Sequence, residues 1–217
     1  TRPGAQATPP ADVLPAKGLA LTGTAATGLA LADASVSVKC ASGAGSASTG
    51  ANGQYVLNLA DGAKLPCMVR GTGTAKGSPI TLHSLVEAGT VGNGTTNAVA
   101  NVSPLTELIV AQLFGQRPAA VFDAFGTATV VDADAIRAAT GAMQTALKDA
   151  GAVDFTSTDP FKAPLVAATP ANPGAGNAHD ALLDQLAQVF PRGAFAVLTD
   201  ELARTAAASG ASSATVR

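Results

Sequence analysis

Tryptophan is absent from the 217 residues, tyrosine occurs once and phenylalanine seven times. Stacking recognition of sugars or bases needs exposed rings, so aromatic platforms are not expected. Charge is scarce as well: Asp, Glu, Lys and Arg make up 13% of the chain, and the formal net charge is −2. With a pI near 5.6, no basic field exists to hold nucleic acid or an anionic membrane. No apolar run is long enough to span a bilayer, so no transmembrane segment is expected. The two histidines and two cysteines do not stand at zinc-ligand spacing. Neither a phosphate-cradling glycine motif nor a Gly-x-Ser-x-Gly elbow occurs. These absences nominate no cofactor, no metal and no catalytic set.

In place of charge the chain carries Ala, Gly, Ser and Thr. Such a surface is smooth, neutral and poor in long side chains. Small side chains make close, flat contacts and lose little entropy when buried.

The central local signal is Ser48-Thr49-Gly50-Ala51-Asn52-Gly53-Gln54-Tyr55-Val56-Leu57-Asn58-Leu59. Asn52-Gly53 predicts a tight type I′ hairpin turn, because both residues tolerate positive φ. After it, Tyr55, Leu57 and Leu59 alternate with Gln54, Val56 and Asn58, the period of a half-buried strand. Leu19 to Thr24 reads as a first strand. Val36, Val38 and Cys40 then share one face, and Leu65, Cys67 and Val69 share another. Ile80, Leu82, Ser84 and Val86 mark a further strand, which places His83 outward with Thr81. The last runs from about Thr95 to Val102. About seven short strands at turn spacing predict an antiparallel sandwich over 18–102.

Both cysteines fall on inward parity, and only one pairing exists. A Cys40–Cys67 disulfide would close a loop worth about 3–4 kcal/mol in the loop-entropy treatment. The other reading is two buried thiols.

Residues 23–59 resemble the carboxypeptidase regulatory-like (prealbumin-like) fold. The resemblance rests on Ala34, Val36 and Val38 as "Ala-x-Val-x-Val", then on Thr49, Gly53, Tyr55 and Leu57 as "Thr-x-x-x-Gly-x-Tyr-x-Leu". It covers roughly the first hundred residues. It implies that Gly53 makes a turn and Tyr55 anchors the core, and it carries no catalytic residue.

From Ser103 onward the pattern turns helical. Ser103 is a good N-cap, Pro104 suits the first helical position and Glu107 suits the first turn. Asp132 to Ala150 is the clearest long helix, with Ile136, Ala139, Met143 and Leu147 on one stripe. A short helix near Pro118–Phe125, one from Asn177 to Phe190, and one from Ala194 to Ala208 complete a region of four to five helices over 103–208. The expected class is therefore α+β, the sandwich packed with the helical region. Residues 1–17 read as a linker or arm and 209–217 as a tail.

Ser103-Pro104-Leu105-Thr106 resembles the "Asn-Val-Thr-Pro-Leu-Thr" junction of a group of exported bacterial proteins and lipoproteins. It departs at Ser103, where Thr is commoner. Gly176 to Asp184 resembles the same group's "Gly-x-Asp-x-Leu-Leu-Asp" element. The resemblance then covers nearly the whole chain. It implies an extracytoplasmic location: secreted, on the cell surface or anchored in the outer membrane. The opening at Thr1 without Met is expected of a processed product with an export signal or lipid anchor upstream.

Few residues invite chemistry. His179 lies in a helical first turn beside Asp180 and near Asp184, but sequence neighbours do not face each other on a helix. Asp132 and Asp134 form an Asp-x-Asp that helix capping explains more simply than calcium. The first functional reading is a non-catalytic structural or binding module of the bacterial envelope, with protein partners or self-assembly. The second is a filament subunit whose N-terminal arm adds a strand to a neighbour, with Leu14, Leu19 and Leu21 filling its pockets. The third is a hydrolase using His83 or His179. Carbohydrate binding through polar loops is a further expectation.

Overall fold

Apolar alternation builds most of the strands in the computed structural model, which describes residues 18–209. Eight strands form: β1 (Gly18–Thr24), β2 (Ser35–Ser42), β3 (Ala44–Ser48), β4 (Gln54–Leu59), β5 (Lys64–Ala75), β6 (Ser78–Val86), β7 (Thr90–Gly92) and β8 (Thr95–Val99). Five helices follow: α1 (Pro104–Phe114), α2 (Pro118–Ala124), α3 (Ala133–Asp149), α4 (Ala178–Val189) and α5 (Arg192–Ser209). The class is α+β, as expected.

The strands form two four-stranded sheets, ordered β4-β1-β8-β7 and β3-β2-β5-β6. Leu19, Leu21, Tyr55 and Leu57 of the first sheet meet Val36, Val38, Cys40, Cys67 and Val69 of the second in one buried cluster. Full burial of each large aliphatic side chain contributes about 1.5–3 kcal/mol. Two details differ from the expected antiparallel arrangement of about seven strands. Eight strands form, and β1 pairs with β8 in parallel, Gly18 opposite Thr95 through Thr22 opposite Val99. Alternation fixes which face is buried, but it carries no information on strand direction.

The Asn52-Gly53 turn also differs from expectation. It does not close a hairpin ladder; it carries the chain from β3, an edge of the second sheet, to β4, an edge of the first. Only Gly53 of the pair has positive φ, at 77°. A Cβ there would collide with the Ala25 carbonyl, so glycine is required. The two-residue loops with both φ values positive are Lys76-Gly77, joining β5 to β6, and Asn93-Gly94, joining β7 to β8.

Cys40 and Cys67 lie opposite each other on β2 and β5 and are disulfide-bonded. Tyr55 donates its hydroxyl to the Ala100 carbonyl at 2.6 Å, and burial pushes its phenol up. Thr49 donates to the Leu31 carbonyl at 2.5 Å and accepts from the Ala34 N–H at 2.8 Å, tying the β1–β2 connection to the end of β3.

Ser103 and Thr106 cap α1 reciprocally. The helix is apolar almost all round, because it lies between β6 on one side and α3 and α5 on the other. Met68 and Leu85, on the outer face of the second sheet, join Leu105, Leu108 and Phe122 of the helices in a second buried cluster. That cluster crosses the expected boundary at 102/103. The second sheet is thus covered on both faces, whereas no described helix packs broadly on the first sheet.

Candidate interaction surface

His83 is expected to face solvent, but the structure buries it to 2% exposure. Strand parity is as predicted; α1 and Phe122 cover the face that parity assigns to solvent. The backbone N–H of His83 donates to Glu107 Oε2 at 2.6 Å, and ring Nδ1 lies 2.9 Å from the same oxygen. The His83 carbonyl accepts from the Thr106 hydroxyl at 2.8 Å. Phe122 packs 6.0 Å from the imidazole, with Arg70 and Lys39 over its own ring at 4.3 and 4.9 Å. Lys39 also donates to the Phe122 and Asp123 carbonyls, both at 3.1 Å. His83 Nε2 has no hydrogen-bond partner among the described residues. A carboxylate orienting an imidazole is half of a nucleophilic set. Here the imidazole faces Phe122 instead of a cavity, and adjacent Ser84 points to the opposite face of the strand.

His179 and Asp180 open α4 and are likewise buried. Asn177 caps the helix by accepting from the Asp180 N–H at 3.1 Å and donates to the Pro164 carbonyl at 2.9 Å. His179 Nδ1 lies 3.4 Å from that carbonyl. Burial lowers the His179 pKa, against the opposing pull of the Pro164 and Ala163 carbonyls and Asp159. Asp180 Oδ2 accepts from the Ala168 N–H at 3.2 Å. Burial raises the Asp180 pKa, the Ala168 bond lowers it and the charge of Asp184 raises it further. This polar pair clamps the irregular 163–168 segment. Asn101 holds the same segment from the sandwich by donating to the Ala163 carbonyl at 2.7 Å.

The acidic pair Asp132 and Asp134 is a helix start. Asp132 accepts from the Asp134 N–H at 3.3 Å, and Asp134 pairs with Arg137 at 3.1 Å. Among the described residues, no group of three or more His, Cys, Asp or Glu side chains converges.

A polar cleft of about 480 Å³ lies between α3 and the loop around 156–162. Arg137, Thr140, Gln144 and Ser157 line it, with the 3.0 Å Lys162–Glu87 ion pair at one wall. Its charges balance and Phe161 is buried, so it offers hydroxyl and amide groups without an exposed ring.

The most unusual surface is the first sheet. No strand of it contains a charged residue. The reason is visible in the sequence: residues 18–32, 41–60 and 88–106 hold no Asp, Glu, Lys, Arg or His. Pairing places Val56, Thr22 and Val99 in one outward row and Asn58, Ala20, Asn97 and Thr90 in the next. Val56 and Val99 of the first row are 63% and 38% exposed. Beside the first row, a groove of about 370 Å³ separates the sheet from Pro164 and Val166. Exposed valines on a charge-free sheet dissolve less well than the usual charged surface and mark contact sites.

The expected assembly arm, residues 1–17, lies outside the described residues, and only two of its three expected pocket-filling leucines are described. Leu19 and Leu21 lie in β1, between β4 and β8, with side chains in this chain's own core. They are therefore not available to fill a neighbour's pockets. Leu14 lies outside the described residues.

Sequence reasoning missed the partner of His83, because Glu107 was read only as a favourable first-turn acid. It also missed the convergence of the three charge-free stretches, although each is plain in the sequence. Comparison with family models, curated proteins and solved structures gave no match.

Proposed function

We propose that this protein is a non-catalytic contact module of the bacterial cell envelope, acting through the outer face of its first sheet. The observation that carries this reading is the complete lack of charge across β4, β1, β8 and β7, combined with exposed Val56 and Val99 on the outer face. A surface of this kind binds by shape and desolvation, not by charge steering.

The location is supported by the Cys40–Cys67 bond, since disulfides persist in oxidising compartments. It agrees with the resemblance to exported bacterial proteins. No described helix is long and apolar enough to cross a membrane. The hydrolase reading gains nothing from either histidine, since both imidazoles are buried and packed against structural partners.

The test is a double substitution, Val56→Lys with Val99→Lys, expressed in the producing cell. Both side chains are exposed, so the thermal midpoint should move by less than about 3 °C. The variant should shift from the envelope fraction to the medium or the soluble fraction. An unchanged distribution would remove the first sheet as the contact surface.

A further inference from the structure

The sandwich treats its strand edges unequally. An open edge is a template for another strand, and proteins usually blunt it with charge, proline, brevity or a covering element. On β6 the covering is explicit, because Glu107 and Thr106 of α1 take the N–H and C=O of His83. β7 is only three residues long. β4 is six residues long and, among the described residues, has none of these devices.

The phase of β4 follows from one bond. The Ala25 N–H donates to the Gly53 carbonyl at 2.9 Å. Gly53, Tyr55, Leu57 and Leu59 therefore turn their backbone groups toward β1, and Gln54, Val56 and Asn58 turn theirs outward. The turn consumes the Gln54 pair: its N–H bonds Asn52 Oδ1 at 3.2 Å, and its carbonyl accepts from the Gly50 N–H at 2.9 Å. Val56 and Asn58 are left as the outward-facing residues of the edge.

We infer that β4 pairs with β4 of a second copy of this chain, antiparallel, about a two-fold axis at Leu57. Val56 of each copy then exchanges main-chain bonds with Asn58 of the other. The two four-stranded sheets become one continuous sheet across the dimer. A second copy fits this edge because two outward residues flanking a central inward one are self-complementary under a two-fold rotation. The uncharged run 41–60 supplies no repulsion between copies and no charge pattern for a different partner to match. β3, which borders the same side of the sandwich, is uncharged as well. An isologous contact closes at two copies and does not propagate into a fibre. This inference rests on the contact-module reading only in using the same sheet.

The experiment is sedimentation velocity over about three decades of concentration, with residue-resolved amide exchange on the same samples. The expected result is a monomer–dimer equilibrium without larger species. Exchange at Val56 and Asn58 should slow as concentration rises, while Tyr55 and Leu57, already bonded to β1, should not respond. Val56→Lys should weaken association at least about tenfold. Adding Asn58→Glu to it should restore much of the loss, because each lysine then faces a carboxylate across the axis. A monomer at every concentration overturns the inference, and so does a dimer indifferent to Val56→Lys. A monomer whose envelope retention is still lost in the Val56→Lys, Val99→Lys variant overturns the dimer alone and leaves the contact-module reading standing.

Discussion

Two nitrogens of His83, the backbone N–H and ring Nδ1, converge on a single oxygen, Oε2 of Glu107, at 2.6 and 2.9 Å. The contact joins the last long strand of the second sheet to the first helix. Glu107→Ala leaves an imidazole and a backbone donor buried without an acceptor, and should destabilise by about 3 kcal/mol. Glu107→Gln keeps an amide oxygen in place and should lose only about 1 kcal/mol. Urea unfolding of both variants checks this; equal effects would show that the pair is not what holds α1 on β6.

Tyr55 and Gly23 form a second test. Tyr55→Phe removes the donor to the Ala100 carbonyl and should lose about 1–2 kcal/mol. Gly23→Ala should lose more, since a Cβ at that position meets both the Ala100 carbonyl and the Tyr55 ring. Thermal unfolding that ranks the two variants in the reverse order would contradict the packing described.

Removing the disulfide as Cys40→Ala with Cys67→Ala should lower stability by about 2–4 kcal/mol, given the 27-residue separation. The sheets should survive, because Val38–Val69 and Lys39–Met68 pair on the same ladder. Circular dichroism with denaturant titration separates the outcomes. Loss of the strand signal under native conditions would mean that the bond holds the fold on its own.

The first turn of α4 predicts a shallow minimum in stability at mildly acid pH. The His179 pKa is lowered from 6.5 in the folded protein. The unfolded chain therefore takes up the proton first, and stability falls as pH drops below about 6.5. The Asp180 pKa is raised from 3.8. There the unfolded chain ionises first, so stability falls as pH rises from about 3.8 through the folded pKa. Urea midpoints from pH 3 to 8 should lose the upper slope in His179→Gln and the lower slope in Asp180→Asn. Slopes that persist in both variants would assign the dependence to other groups.

How much could be read in advance depended on whether burial was one-sided. The faces of β2 and β4 follow from Val36, Val38 and Cys40 and from Tyr55, Leu57 and Leu59, because each strand has one face on the sandwich core. His83 was misplaced because the helix that covers it begins some 20 residues later in the chain. Period-two alternation cannot report a partner arriving on the other face. β3, with the sequence Ala-Gly-Ser-Ala-Ser, has no apolar pattern to announce a strand; backbone pairing with β2, from Ser35 opposite Ser48 to Lys39 opposite Ala44, makes it one. The cysteine pairing was legible from inward parity. The charge-free sheet was not, since its three stretches meet through the distant β1–β4 and β1–β8 pairings.

That parallel pairing also dictates an order of assembly. All strands of the second sheet have emerged once Val86 is available, and its cysteines can meet by then. β1 must wait with one side open until Thr95–Val99 follows, across a separation of 77 residues. Closing so distant a contact is slow compared with forming hairpins. A chain delivered from its N-terminus would therefore oxidise the second sheet first and complete the first sheet last. Until that moment Leu19 and Leu21 lack their β8 neighbours, and the interval before β8 docks is when this chain is most exposed to mispairing.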